Sequence, residues 1–386
     1  MKASSRLYTE RSGVKKHEVI NMERSEMAYT KRSGVPNTKF SIMEASQFKS
    51  DQYVRFCPGC GDHAICMALQ KAMAQIGVPT HETVVISGIG CSSRMPHYLN
   101  TYGFNTIHGR GAAIATGVKT AHPELTVWQM TGDGDCLAIG GNHFIHSLRR
   151  NVDLNICLFN NRIYGLTKGQ YSPTSPRGFV SKSSPFGTVE RPFVPAELVM
   201  GARGTFFART LDVDMPTTVD CMVQAQQHKG ASVIECLVNC VIFNNGTHDW
   251  IANRDTRAER TILLRHGEKM LFGKDLDKGL ALVTDEGALL PHLAVVPADD
   301  LRVLTHDATL ADPTLHRMLA LMGQDRYMEA GDAETESELP IALGVIRNVA
   351  EETYDHAVNQ QIADVQAKSK IHTFDELLGT LEQWEA

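Results

Sequence analysis

Between residue 41 and about residue 250, short apolar runs rich in β-branched residues alternate with amphipathic stretches. The runs are Thr83-Val84-Val85-Ile86, Leu125-Thr126-Val127-Trp128, Leu154-Asn155-Ile156-Cys157-Leu158-Phe159 and Ser232-Val233-Ile234. Runs this short, with little polar alternation, suit strands covered on both faces, and the stretches between them supply the covering helices. The alternation predicts an α/β fold with a doubly wound, mainly parallel sheet. One stretch is explicit. Ala64, Ile65, Ala68, Leu69, Ala72, Met73 and Ile76 recur three and four residues apart, an apolar stripe on a helix that Gly77 closes. Residues 165 to 205 hold many Gly, Pro and Ser without periodicity and read as a long loop region over the substrate path.

The flanks read differently. Residues 1–40 are polar and mildly basic and are expected to form an N-terminal arm, and residues 41–255 carry the domain just described. From residue 256 to 386 a C-terminal extension shows longer helical patterns. From Glu329 onward it has 13 Asp or Glu against 3 Lys or Arg, an acidic segment suited to solubility or partner contact. A net charge of -6 offers no attraction toward phosphates, so nucleic acid and membrane surfaces are excluded as partners. No apolar run reaches the roughly 18 residues of a membrane span, and charges interrupt the first residues where a signal peptide would be apolar. A cytoplasmic protein is expected. In that reducing compartment nine cysteines point to free thiols or ligands rather than to a disulfide scaffold.

The strand ending near Met130 runs into Thr131-Gly132-Asp133-Gly134-Asp135, and the next ends at Phe159-Asn160-Asn161. Ligands of doubly wound sheets bind beyond the carboxyl ends of the strands, so both segments face one crevice. Their chemistry suits a magnesium diphosphate. Mg²⁺ takes hard oxygens, which the Asp133 carboxylate and Asn161 amide offer. Gly132 and Gly134 allow close backbone approach to phosphate, and the turn, Asp135 included, leads into a helix start with free N–H groups. Gly-Asp-Gly is by itself more often a plain turn. Followed by Asn-Asn 25 residues later, it resembles the thiamine-diphosphate motif of transketolases, decarboxylases and oxoacid oxidoreductases. That resemblance implies Asp133, Asn161 and the Ile163 carbonyl as Mg²⁺ ligands.

Cys57-Pro58-Gly59-Cys60 suits zinc, an iron-sulfur cluster or a redox dithiol equally. Cys91 and Cys240 each follow a strand and complete a set of four. Cys66, Cys136, Cys157, Cys221 and Cys236 lie in apolar stretches, where cysteine is a small buried hydrophobe. Cys236 rivals Cys240 as fourth ligand but falls within a strand run.

Taken together, Cys-Pro-Gly-Cys-Gly, Gly-Ile-Gly-Cys-Ser-Ser-Arg, His108-Gly109-Arg110, GDGDCLAIGGNHFIHSLRRN and NNRIYGLTKGQ resemble the β subunit of 2-oxoacid:ferredoxin oxidoreductases, over roughly residues 50 to 245. Gly-Ala-Ala after Arg110 departs from the family's usual Ala or Pro. The resemblance implies that Cys57, Cys60, Cys91 and Cys240 hold one [4Fe-4S] cluster near thiamine diphosphate and Mg²⁺. It also implies CoA-dependent oxidative decarboxylation of a 2-oxoacid, with electrons leaving to ferredoxin. Gln170-Tyr171-Ser172-Pro173-Thr174-Ser175-Pro176 and Arg94 are most similar to the 2-oxoglutarate branch, which forms succinyl-CoA and CO₂. Pyruvate or another 2-oxoacid is the alternative.

Arg94 and Lys168 are candidates to bind the substrate carboxylate, and His108 to contact the cofactor or move a proton. A solvated surface position is the plain alternative for each base, as is a satisfied strand-end histidine for His108. His143 and His146 are read as helix packing. The carboxylate that activates thiamine normally comes from a second domain, so an α subunit, in a heterodimer or heterotetramer, is expected to supply it. Two rivals stand: a non-oxidative thiamine-diphosphate decarboxylase or synthase, and a non-catalytic zinc-binding assembly subunit.

Overall fold

The computed structural model describes residues 43–331 and 339–381, so the expected arm over residues 1–40 lies outside the described residues. Six parallel strands organise the site: β1 (Thr83–Ser87), β2 (Tyr102–Asn105), β3 (Thr126–Gly132), β4 (Leu154–Asn160), β5 (Phe206–Leu211) and β6 (Ala231–Leu237). They lie in the order β2-β1-β3-β4-β6-β5. The chain leaves β1 toward β2 and returns on the other side as β3. The order therefore reverses between β1 and β3, which is where a doubly wound sheet opens a crevice.

Burial explains why these runs are so apolar. β1, β4, β5 and β6 are buried along their whole length. Successive side chains point to opposite faces, and each face has its own cover. On one, α1 (Asp62–Ile76) supplies Ile65, Leu69 and Met73, which join Val85, Trp128 and Phe206. On the other, Ala115 of α2 (Gly111–Ala121) packs with Val84, Ile86 and Leu158. The turn α3 (Asp133–Leu137) leads to α4 (Gly141–Arg149), whose Phe144 and Leu148 share that second cluster with Val199 of α5 (Pro195–Gly201). Val219 and Met222 of α6 (Met215–Gln227) complete the first. Gly77 ends α1 in the left-handed conformation, at φ 74°, as its position implied.

The C-terminal part holds more strand than its periodicity suggested. β7 (Thr261–Leu264) and β11 (Ile341–Asn348) extend the main sheet to eight strands, with β11 antiparallel to β5 and parallel to β7. β8 (Leu271–Phe272), β9 (Lys278–Val283) and β10 (His292–Pro297) form a separate antiparallel sheet. Helices α7 (Thr314–Leu321) and α8 (Tyr354–Lys368) are also present. The boundary expected at residue 255 falls inside one sheet, and the described residues from 43 onward cluster as one compact unit. No helix among the described residues is long and apolar enough to cross a membrane.

An ion pair is sealed beneath this junction. Arg209 of β5 is fully buried, its Nε donating to Glu235 Oε2 of β6 at 2.7 Å and its Nη2 to the Ala320 carbonyl of α7 at 3.0 Å. Removing one partner of such a pair strands the other charge in the interior. Glu235→Gln is expected to lower stability by about 3–5 kcal/mol in denaturant unfolding. A loss under about 1 kcal/mol would show that the pair does not secure the junction.

Candidate functional site

Beyond the carboxyl ends of β1, β3 and β4 lies a cavity of about 350 Å³. Three loops build it: Ile89 to Ser92 after β1, Gly132 to Asp135 after β3, and Asn161 to Thr167 after β4, with Asp62, His108, Phe159 and Gln170 completing the wall. Eight of the thirteen residues singled out from the sequence thus meet in one space: Cys91, His108, Gly132, Asp133, Gly134, Asp135, Asn161 and Ile163.

Asp133 is the focal group. It is 2% exposed, and its Oδ2 accepts hydrogen bonds from Ser172 Oγ and Thr174 Oγ1, both at 2.5 Å. Burial pushes its carboxyl above the ordinary range, an effect opposed by the two hydroxyls and by the Arg162 guanidinium. A carboxylate so placed suits a divalent cation, which would replace lost hydration with a full charge. Asn161 Oδ1 accepts from Ile163 N at 3.2 Å, closing a tight turn. Arg162, between them, takes φ 57° and turns its side chain back into the protein. There its Nη2 donates to the Tyr327 carbonyl at 2.7 Å, and the guanidinium lies 4.2 Å from the Tyr327 ring centroid. Burial draws the Arg162 pKa down to about 10.

Tyr327 is held in turn by a chain whose proton positions are fixed. Burial lowers the His248 pKa to about 3, so the ring is neutral. Its Nε2 lies 3.0 Å from the Asn160 carbonyl and must donate; its Nδ1 then accepts from Tyr327 Oη at 2.9 Å. Trp250 Nε1 donates to the same Tyr327 oxygen at 3.1 Å. The C-terminal part thereby braces the Asn161 turn from behind.

Asp135 has a different part from the one expected. Its Oδ1 accepts from Ile89 N at 3.0 Å and Gly109 N at 2.7 Å, and its Oδ2 from Thr131 Oγ1 at 2.8 Å. His108 Nδ1 lies 2.9 Å from Oδ1, an ion-pair distance off the direction of a hydrogen bond. With both oxygens engaged, Asp135 pins the loops after β1 and β2 to β3. A Cβ on Gly88 would collide with this carboxylate. The glycines also divide their labour. A Cβ on Gly132 would meet only Ser92 Oγ, at 3.6 Å, so the backbone there is open to the cavity. A Cβ on Gly134 would strike the Tyr164 ring, whose Oη donates to the Gly134 carbonyl at 3.0 Å. Packing, rather than phosphate approach, accounts for that glycine.

The four thiols gather at one edge of this cavity. Gly61 N donates to the Asn239 carbonyl at 3.2 Å, which brings the Cys57-Cys60 turn against the segment carrying Cys240. A Cβ on Gly165 would lie 3.5 Å from both Cys91 Sγ and Cys240 Sγ. Burial, followed by the Asp62 charge and the other thiols, pushes the Cys91 pKa up to about 12, and the same causes raise Cys60. The raised values keep Cys60 and Cys91 as neutral thiols, and a cation bound beside them would favour their thiolates. Among the described residues no group of three or more His, Cys, Asp or Glu closes on a single metal ion. Cys236 is fully buried in β6, as its strand position implied.

The proposed substrate contacts are less central. Arg94 is half-buried and donates from Nε to Tyr98 Oη at 3.0 Å, beside Cys91 but outside the cavity wall. Lys168 is exposed at φ 77° on the turn from Gly165 to Gln170 that forms one wall. Asp62, Ser172, Thr174 and Tyr164 are parts of the site to which sequence reasoning gave no role, the last three figuring there only within segments that carry the family resemblance. Asp62 has burial pushing its carboxyl up to about 7. Only its place directly after the Cys-x-x-Cys-Gly turn hinted at it.

The model of the thiamine pyrophosphate enzyme C-terminal TPP-binding domain matches residues 81–236, the stretch from β1 to β6. The 2-oxoglutarate oxidoreductase subunit KorB of Mycobacterium tuberculosis is 43% identical over 319 residues, 83% of this chain and 82% of that relative. The 2-oxoglutarate synthase subunit KorB of Archaeoglobus fulgidus is 44% identical over 185 residues, 48% of this chain and 69% of that one. A solved 2-oxoglutarate:ferredoxin oxidoreductase from Magnetococcus marinus, with 2-oxoglutarate, coenzyme A and succinyl-CoA bound, superposes with a TM-score of 0.68 at 26% identity. The match covers 89% of this chain and 98% of that one. By this similarity the chain belongs to the KorB family of 2-oxoacid oxidoreductase β subunits.

Proposed function

We propose that this chain is the thiamine-diphosphate-binding β subunit of a cytoplasmic 2-oxoglutarate:ferredoxin oxidoreductase, converting 2-oxoglutarate and CoA to succinyl-CoA and CO₂. The observation that carries the reading is the buried Asp133 carboxylate in a cavity whose other wall includes Cys91. Bound thiamine diphosphate supplies a nucleophilic carbon and an electron sink, and a [4Fe-4S] cluster supplies one-electron transfer.

The residues divide the work. Asp133, Asn161 and the Ile163 carbonyl would hold Mg²⁺, and the open backbone at Gly132 would receive the diphosphate. Asp135 fixes the His108 loop, which sets the imidazole at the cavity wall, where it would contact the cofactor or move a proton. Cys57, Cys60, Cys91 and Cys240 would hold the cluster one loop away, a short path for electrons toward ferredoxin. Lys168, on the turn from Gly165 to Gln170, would offer a cation to a substrate carboxylate, and Arg94, behind Cys91 and outside the cavity wall, is the second candidate. The described residues contain one doubly wound sheet, and the carboxylate that activates the cofactor would come from an α subunit.

The lone chain is expected to be inactive. Co-expressed with its α partner and purified without oxygen, it should reduce a viologen dye with 2-oxoglutarate only when CoA is present. A preference for pyruvate would replace the substrate and leave the site reading intact; dye reduction by the lone chain would remove the need for a partner.

Iron analysis separates the cluster from the two rivals. Cys240→Ser in the complex is expected to lose about four irons and four sulfides per β chain, while Cys236→Ser keeps them. Equal metal content in both variants, or zinc in place of iron, would contradict the assignment. Lys168→Met should raise the KM for 2-oxoglutarate by roughly 10-fold or more, since a charged hydrogen bond contributes about 1.5–3 kcal/mol. An unchanged KM would return Lys168 to the solvated surface.

A further inference from the structure

The hydroxyl groups on Asp133 belong to neither strand nor turn of the diphosphate motif. Ser172 and Thr174 lie 39 and 41 residues beyond Asp133, in the aperiodic loop region after β4. Both are buried, at 2% and 0% exposed. Both place their oxygens on the same carboxylate oxygen, Oδ2, and neither bonds to Oδ1. Three short side chains on one loop converge to make this possible: Ser175 Oγ accepts from Ser172 N at 2.8 Å and donates to the Arg162 carbonyl at 2.7 Å. The loop is thereby anchored to the residue between Asn161 and Ile163.

Thr174 has a second acceptor within reach. Its Oγ1 is 3.0 Å from Asn160 Oδ1, while Asn160 Nδ2 donates to Glu235 Oε1 at 2.8 Å. A hydroxyl has one proton, so at any moment Thr174 donates either to Asp133 or to Asn160. A short, charge-assisted bond favours the carboxylate. Ligating carboxylates are commonly aimed by such outer hydrogen bonds, and a ligand with one oxygen tied in place presents the other in a fixed direction.

We propose that Thr174 and Ser172 are positioning residues: they tie Asp133 by Oδ2, aim Oδ1 at the divalent cation, and so couple metal retention to the seating of the 172–175 loop on the Asn161 turn. The proposal rests on the reading of Asp133 as a metal ligand and names residues for which neither the motif nor the resemblance gave a role.

The test uses the complete complex with Mn²⁺ as probe, its affinity measured by electron paramagnetic resonance in the presence of thiamine diphosphate. Thr174→Val keeps the shape and removes the hydroxyl, and is expected to weaken Mn²⁺ binding roughly 10-fold. Thr174→Val combined with Ser172→Ala should weaken it further, and Thr174→Ser should restore affinity to within about twofold. The thermal midpoint of the cofactor-free complex serves as the control and is expected to be unchanged in Thr174→Val. Asp133→Asn separates the two levels. If it loses Mn²⁺ while the double variant binds as the wild type does, the positioning role is wrong and the metal reading stands. If Asp133→Asn itself binds normally, the metal reading fails. Loss of affinity in Thr174→Val without rescue by Thr174→Ser, or with a matching fall in the thermal midpoint, would mean a packing role and overturn the proposal.

Discussion

A carboxylate buried without a fixed cation against it is the constraint on which the rest of this structure turns. Asp133 sits almost fully buried at the end of β3, and the protein answers with hydroxyls and with the Arg162 charge nearby rather than with a direct ion pair. Such an arrangement is costly for a protein that only needs to fold. It is favourable for one that must hold a divalent cation, because an ion pair at Asp133 would compete with the metal. The nearest arginine is accordingly turned away, its guanidinium laid on Tyr327.

The scaffold around this group is organised to keep three loops in register. Asp135, two residues on, ties the loops after β1 and β2 to β3 through two backbone N–H groups. The Asn161 turn is braced by Arg162, Tyr327 and His248, and the thiol-bearing segments meet through the Gly61 backbone and across Gly165, where a side chain would contact the sulfurs of Cys91 and Cys240. Rigid strands supply the positions and the loops supply the chemistry, so small shifts of the sheet would be felt at both the diphosphate and the sulfur end of the crevice. The C-terminal strands β7 and β11 belong to this support: they complete the sheet beside β5, above the sealed Arg209 and Glu235.

Much of this was legible in the sequence because its logic is local. Buried parallel strands leave continuous apolar runs, and the spacing from Asp133 to Asn161 is that of two neighbouring strands ending at the same rim. The parts that were not legible depend on contacts between distant segments. Ser172 and Thr174 lie in a loop without periodicity, and nothing about a serine or threonine there points to a carboxylate about forty residues earlier. The reason for Gly134 is the ring of Tyr164, and two of the partners of Asp135 come from the loops after β1 and β2. Likewise Ile341–Asn348 is apolar enough for a strand, but its place beside β5, antiparallel, follows from the path of the chain rather than from its own residues.

The most direct measurement is a crystal structure of the anaerobically purified complex, soaked with thiamine diphosphate and Mg²⁺ and recorded across the iron absorption edge. The account predicts anomalous iron density enclosed by the sulfurs of Cys57, Cys60, Cys91 and Cys240, with a magnesium-bound diphosphate against Asp133 and Asn161 in the adjoining cavity. Iron bound elsewhere in the complex with these four thiols left free, or a diphosphate seated away from Asp133, would contradict it.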